Sequence, residues 1–222
     1  MDLVALVRGA SLFRGCGEEE LGALFLRLNA VGKSFEKGET VIHAGTRSDR
    51  LVIVAEGSLH IYEQANDIKP ILIRTVGVGM TLGLWKLSKP ELGFWPIQIV
   101  AAQPSTVVTL DMARLRAMSG DLHNPLVARL AVNASTILSD EVVSTWRKML
   151  VMNMPTLEDR IRLYLAWLND ETGRTGTVVV PFDREKMANY FGVTRPALSR
   201  SLGNMRDRGL LSWRKNVFRV NF

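Results

Sequence analysis

The 222-residue chain lacks most features that would mark a secreted protein, a membrane protein or a common enzyme. It has one cysteine, Cys16, which excludes an intramolecular disulfide framework and any four-cysteine zinc or iron–sulfur site. That usage fits a reducing compartment. No apolar run approaches the ~18 residues of a membrane span. The opening MDLVALVRGAS has no basic segment ahead of its short apolar stretch, as a signal peptide would. The expectation is a cytoplasmic protein with no membrane partner. His43, His60 and His123 are isolated in the sequence and read as surface or core residues, not heme ligands. There is no G-x-x-x-x-G-K-[ST] loop, H-E-x-x-H helix or G-x-S-x-G elbow, and GVGMTLG (77–83) misses the G-x-G-x-x-G spacing. The carboxylates of GEEE (17–20) and LSDEV (138–142) fall on predicted helix faces, as capping or solvated groups. No metal site or cofactor is indicated, and an enzyme is not expected.

What the chain has is enough apolar sequence, 47% of residues, for one large or two modest domains. Its charge is unevenly placed. Between 183 and 222, nine basic residues face three acidic ones, which accounts for the whole formal charge of +6. A compact basic end favours a polyanion or an acidic surface as partner.

The first hundred residues read as β-rich. Short β-branched or apolar runs at 41–42, 51–55, 59–62, 71–76, 97–101 and 106–110 alternate with the turn signals KGE, AGTRSD, EGS, QAND, GVG and AQPS. Closely spaced strands of this kind suggest a small antiparallel barrel or sandwich. Ahead of them, GEEELGALFLRL has acids suited to a helix start and helical spacing at Leu21, Leu24, Phe25 and Leu28.

A long helix is predicted over 125–150, with an apolar stripe of Val127, Leu130, Ala134, Ile137, Leu138, Val142, Trp146 and Met149, the first six of which are the expected dimer contacts. Such a stripe serves either as core or as the seam with a second copy of the chain. MLVMNMP (149–155) reads as a hinge, because a helix usually ends before a proline. An amphipathic helix at 157–169 and a strand-like TVVVPF (177–182) follow.

Asp183 is a good N-cap for REKMANYF, Gly192 supplies a turn, Val193 an apolar plug, and Thr194 an N-cap for a second helix with Pro196 in its first turn. Leu198, Leu202 and Met205 point that helix inward, completing a helix-turn-helix. Its outward residues are Arg195, Pro196, Ser199, Arg200 and Asn204. GLLSWRKNVFRVNF then reads as two strands around Arg214 to Asn216, the wing of a winged helix. An arginine fork suits guanine O6 and N7 in the major groove, while serine, asparagine, Arg214 and Lys215 suit phosphates or looser base contacts.

With these motifs placed, the chain resembles the CRP/FNR family of bacterial transcription regulators over nearly its whole length. SLFRGCGEEELGALF and FEKGETVIHAGTRSDRLVIVAEGSLHIY, with Gly38, Gly45 and Gly57 at turns, are similar to the family's cyclic-nucleotide-binding-like barrel. REKMANYFGVTRPALSRSLGNMRDRGLL is similar to its DNA-reading helices, with Arg195, Ser199 and Arg200 on the recognition motif. The implied fold is α+β: an N-terminal antiparallel β-barrel of the cupin-like jelly-roll type (1–110), a long central dimerisation helix region (111–150) and a C-terminal winged helix-turn-helix (151–222). The resemblance implies a homodimer on a palindromic double-stranded operator, with RNA polymerase a partner if the protein activates.

Departures from the family narrow the function. Where many members carry glutamate after the first arginine of the recognition motif, this chain has Pro196, so its half-site should differ. The turn that in cAMP-binding members reads GELG, its glutamate facing the ribose, is here GMTLGLW (79–85), with Leu84 in the glutamate's place. Around the arginine that would meet the cyclic phosphate, FWPIQIVAA (94–102) has no base. A buried phosphate without a cation is poorly solvated, so cAMP is not the expected effector. Met80, Leu82, Leu84, Trp85, Phe94 and Trp95 instead suggest either simple packing or an apolar pocket for a small hydrophobic or aromatic effector. Arg50, Arg74 and Lys86 are the bases near enough in sequence to meet an acidic group on it. The rival function is a sensor or scaffold whose helix-turn-helix serves protein contacts. The basic excess opposes it.

Overall fold

The structure, a computed structural model, describes residues 2–63, 71–121, 123–181 and 183–222. The turn expected at QAND (64–67) and the last residue of TVVVPF, Phe182, lie outside the described residues. The chain forms two units, Met1–Glu141 and Val142–Phe222, and the division falls inside its longest helix.

In chain order, unit 1 comprises α1 (Leu3–Val7), a 3-10 turn (Ser11–Phe13), α2 (Glu18–Arg27), β1 (Val31–Phe35), β2 (Thr40–Ile42), β3 (Arg50–Glu56), β4 (Ser58–Glu63), β5 (Ile71–Gly77), β6 (Thr81–Leu82), a second 3-10 turn (Leu84–Leu87), β7 (Ile97–Ala101), β8 (Ser105–Asp111), α3 (Met112–Met118) and the first part of α4 (Pro125–Asn153). Unit 2 takes the rest of α4, then α5 (Leu157–Glu171), β9 (Thr177–Val179), α6 (Arg184–Tyr190), α7 (Arg195–Asp207), β10 (Leu211–Arg214) and β11 (Val217–Val220).

The strands of unit 1 pair antiparallel in two sheets, β1-β8-β3-β6 and β2-β7-β4-β5. This is a jelly roll of two separate ladders, not one closed ring. The run RLVIVAE in β3 is apolar at both parities because both of its faces are buried. Val52 and Val54 join Leu59, Ile61, Ile99 and Trp95 in one core, while Leu51, Ile53 and Ala55 join Leu21, Leu24 and Phe25 of α2 in another. Three acids open α2, and the Glu20 carboxylate accepts a 2.7 Å hydrogen bond from the Gly17 amide, relieving an orphan donor at the helix start.

Two local features depart from the sequence reading. The expected hinge at 149–155 is helical through Asn153, and α4 stops two residues short of Pro155, whose ring disfavours a helical predecessor. Residues 112–118, read as part of the central helix region, form the separate helix α3, N-capped by Asp111, whose carboxylate accepts from the Arg114 amide at 3.1 Å.

Unit 2 is built on one apolar cluster: Val151 of α4, Ile161 and Leu165 of α5, Met187 and Phe191, Leu198, Leu202 and Met205 of α7, and Phe218 of β11. Its sheet has the order β10-β11-β9.

A candidate DNA-reading face and a candidate effector site

The turn between α6 and α7 follows from local sequence chemistry. Asp183 caps α6, its carboxylate accepting from the Lys186 amide at 2.8 Å, and the Thr194 hydroxyl accepts from the Ala197 amide at 3.4 Å to start α7. Between them Gly192 takes φ +68°, which favours glycine, and the Val193 amide closes on the Ala188 carbonyl at 3.0 Å. At the C-terminus of α6, Lys148 of α4 donates to the Tyr190 carbonyl and Arg160 of α5 donates to that of Phe191 at 3.1 Å. Two cations thus meet the negative end of α6 and satisfy its orphan carbonyls. Burial, with the Arg160 charge adding to it, pulls the Lys148 ammonium down to about 8.

Leu198, Leu202 and Met205 are fully buried, which turns Arg195, Pro196, Ser199, Arg200 and Asn204 to solvent, as their spacing requires. The wing turn lies between β10 and β11, with Arg214 and Lys215 exposed. Lys215 adopts φ +55°, and its carbonyl accepts from Arg184 at 3.2 Å. The cations of this unit divide by partner. Arg208 pairs with Glu158 at 2.7 Å, Arg206 with Asp207 at 3.1 Å, and Arg184 covers the rings of Trp213 and Phe218. Among the described residues, the side chains of Arg195, Arg200, Arg214 and Lys215 make no internal hydrogen bond or ion pair. Arg219 also belongs to this free set. Its charge belongs to the basic excess at 183–222, and the period of two on β11, with Phe218 and Val220 buried, places it outward.

In unit 1 the proposed effector residues do not converge on one pocket. Leu82 and Trp95 are buried in the jelly-roll core, Leu84 is buried in the other core beneath the helices, and Met80 and Phe94 are exposed. Trp85 meets Trp95 edge-on with centroids 6.1 Å apart. Trp95 lies directly over Gly83, which has φ +93°. A Cβ there would come within 2.9 Å of the indole. The three nearby bases are engaged inside the chain. Arg50 donates to the Thr109 carbonyl (2.9 Å) and the Asn29 carbonyl (2.8 Å), and Arg74 pairs with Glu141. Lys86 is 1% exposed, donates to the Ser48 carbonyl at 2.8 Å and lies over both indoles; burial lowers its pKa.

An apolar cavity of about 100 Å³ lies elsewhere in unit 1, walled by Leu24 of α2 and Leu28 at its end, Leu115 and Met118 of α3, and Leu130 and Ala134 of α4. It escaped the sequence reading because its walls come from three helices that look, one at a time, like ordinary core stripes. No group of three or more His, Cys, Asp or Glu side chains among the described residues is arranged to hold a metal.

The expected dimer seam on α4 needs correction. Val127, Leu130 and Ala134 are buried against their own unit, with Ile137 and Leu138 packed partly against the same core. Val127, Leu130 and Ala134 are taken up by their own core. Of the six expected residues only Val142 is exposed, and it shares the outer side of α4 with Val132, Val143, Trp146 and Met149. The strongest apolar stripe of a helix joins the core nearest to it, and the weaker second stripe remains outside.

Comparison with known proteins agrees with this architecture. The cyclic nucleotide-binding domain model matches residues 32–120 and the Crp-like helix-turn-helix domain model residues 159–221. A protein of Lacticaseibacillus casei named "Probable transcriptional regulator flp" is 26% identical over 203 residues, covering 90% of this chain and 86% of its own length. The c-di-GMP responsive global regulator CLP of Xanthomonas campestris superposes with a TM-score of 0.64 at 19% identity, covering 90% of this chain and 98% of that one. A mutant of CooA from Carboxydothermus hydrogenoformans gives 0.66 at 14% identity, with 88% and 85% covered. No helix among the described residues is long and apolar enough to cross a membrane. With a jelly roll ahead of a winged helix-turn-helix, both matched in order, the chain belongs to the CRP/FNR family of DNA-binding transcription regulators.

Proposed function

We propose that this chain acts as a homodimer that reads a palindromic operator with α7 and its wing, under the control of a small effector other than cAMP, and that it works by binding rather than catalysis. The observation that carries the reading is the division of cations in unit 2. Arg206, Arg208 and Arg184 are held by acids or rings, while Arg195 and Arg200 on α7 and Arg214 and Lys215 on the wing are left free for a partner. Unpaired arginines on an outward helix face, beside Ser199 and Asn204, suit base edges flanked by phosphates.

Dimerisation is assigned to the outer side of α4. Val132, Ser135, Ser139, Val142, Trp146 and Met149 follow each other at alternating steps of three and four, the heptad pattern of a two-helix seam, and all six are exposed. The small serines admit close approach of a second helix. Against cAMP stand the indole over Gly83 and the engagement of Arg50, Arg74 and Lys86 inside the chain, which takes these three bases away from a cyclic phosphate.

The test is selection of bound sequences from a random duplex library at two salt concentrations. Recovery of a palindrome with half-sites about one helical turn apart, bound less tightly at higher salt, is the expected result. No enrichment at either salt, with or without candidate effectors, would favour a helix-turn-helix used for protein contacts.

A further inference from the structure

The 100 Å³ cavity beneath α4 has a neighbour. A more open pocket of about 350 Å³ is lined by Arg27 of α2, Arg114 and Met118 of α3, Asp121, Asn124 and Val127. Met118 and Val127 line both spaces, so an apolar chamber and a polar one share a wall. The two differ sharply in chemistry. The inner chamber is walled almost wholly by leucines, Phe13 and alanines, while the outer one carries two guanidinium groups.

The outer groups are unequally committed. Arg114 donates to the Arg27 carbonyl at 3.1 Å and lies 3.6 Å from Asp111. The Asn124 side-chain oxygen accepts from the Leu126 amide at 3.0 Å, capping α4 and leaving its amide nitrogen as a donor. The Arg27 side chain has no hydrogen-bond or acidic partner among the described residues. Among the described residues, Asp121 is the one acid on this rim. The shared wall is soft at one point, since Met118 has an unbranched, adaptable side chain that can move aside.

We propose that the two spaces form one site for a small amphipathic carboxylate, its apolar body in the inner cavity and its carboxylate against Arg27 and the Asn124 amide, with Met118 as the wall it displaces. Size supports this class. A dry apolar cavity of about 150 Å³ accepts benzene, so the 100 Å³ here fits a short alkyl chain and accepts an aryl ring once Met118 moves. Charge supports it too, because a carboxylate answers the unpaired guanidinium and a neutral ligand leaves it as it was. The site is separate from the jelly-roll interior, where Trp95 covers Gly83. Leu130 and Ala134 of its inner wall belong to α4, the helix assigned to dimerisation above. Control of operator binding through this site rests on that reading; occupancy of the site does not.

Titration calorimetry of the full chain with hexanoate, with phenylacetate as the aryl probe and hexanol as the uncharged one, tests the proposal without DNA. Hexanoate is expected to bind and to raise the melting temperature. Arg27→Gln should weaken hexanoate about tenfold, the loss of one charge-assisted contact, while leaving hexanol unchanged. Ala134→Leu fills the inner chamber and should abolish binding of all three probes. If that variant loses cooperative unfolding, Ala131→Leu, on the same wall, replaces it. Absence of heat with both acids overturns the proposal, as does hexanoate binding undiminished in Arg27→Gln and in the filled variant. The calorimetry contains no DNA and the operator selection does not depend on these probes, so a failure of DNA reading and a failure of this site are scored separately.

Discussion

The Trp95 indole and Gly83 are so close that a single added carbon at Gly83 would meet the ring at 2.9 Å. In this family the turn containing Gly83 is the one that holds a cyclic nucleotide in cAMP-binding members. Here an aromatic ring from the segment entering β7 occupies the space over it. The ring is held from both sides of its backbone: its amide donates to the Thr46 carbonyl at 2.9 Å, and its carbonyl accepts from the Gly45 amide at 2.7 Å. This part of the jelly roll is packed as a core.

That packing sets a first prediction. Gly83→Ala should destabilise unit 1 by about 2–5 kcal/mol, since it combines a side chain at positive φ with an overfilled core. Trp95→Ala should cost about 3–5 kcal/mol for the cavity it leaves. Neither variant nor the wild type should be stabilised by cAMP, because removing the ring adds space but no cation. Urea unfolding and thermal shift with and without cAMP check both points. A rise in melting temperature with cAMP in the wild type would overturn the assignment of Trp95 as a plug.

The α7 and wing cations should separate by their effect on specificity. Arg200→Ala is expected to cost about 1–3 kcal/mol of discrimination between the selected operator and a scrambled duplex. Lys215→Ala should weaken both duplexes alike and reduce the salt slope by about one. Fluorescence anisotropy across a salt series reads both quantities. Equal losses on the two duplexes for both variants would remove Arg200 from base reading.

Much of this was legible in the sequence because local chemistry agreed with tertiary packing. The six strands expected from β-branched runs lie within one residue of β2, β3, β4, β5, β7 and β8, and the caps Asp183 and Thr194 start α6 and α7 as their residue types require. β1 was missed because VGKSF has a glycine, a lysine and a serine in the middle, and its pairing with β8 is a tertiary fact. The α4 seam was misread for a different reason. Periodicity identifies apolar stripes but not which neighbour each one meets, and the richer stripe at Val127, Leu130 and Ala134 went to its own core. Trp95 and Leu84, read as two walls of one pocket, belong to separate cores, because one-dimensional proximity across a turn does not fix the direction of a side chain.

The corrected seam makes its own prediction. Val142→Asp, at a position 68% exposed, should leave the unfolding free energy within about 0.5 kcal/mol after allowance for assembly state, yet shift the protein toward monomer. Leu130→Asp, at a position 5% exposed, should instead unfold unit 1, since it buries a carboxylate among leucines. Sedimentation velocity together with circular dichroism distinguishes the two effects. A folded Leu130→Asp monomer would return the seam to the inner stripe.

The Lys148 contact with α6 predicts a pH dependence whose sign is fixed by burial. Its folded-state pKa is depressed from 10.5 to about 8, so the folded protein holds fewer protons at this site than the unfolded chain between those values. Stability therefore rises with pH through that window as the cost of burying the charge is relieved. Below the window the cost is fully present, and above it the lysine is neutral in both states. Tyr164 and Tyr190 act in the opposite sense, because burial raises their pKa values and keeps them protonated in the folded state. Their loss of stability sets in near pH 10, above most of the lysine's window. Below pH 10 the difference between wild type and Lys148→Met therefore reports the lysine. The Met variant should be relatively most stable below pH 8, with its advantage shrinking as pH approaches 10.5. Guanidinium unfolding at several pH values gives that difference directly, and a difference independent of pH would mean that Lys148 is solvated as an ordinary surface ammonium.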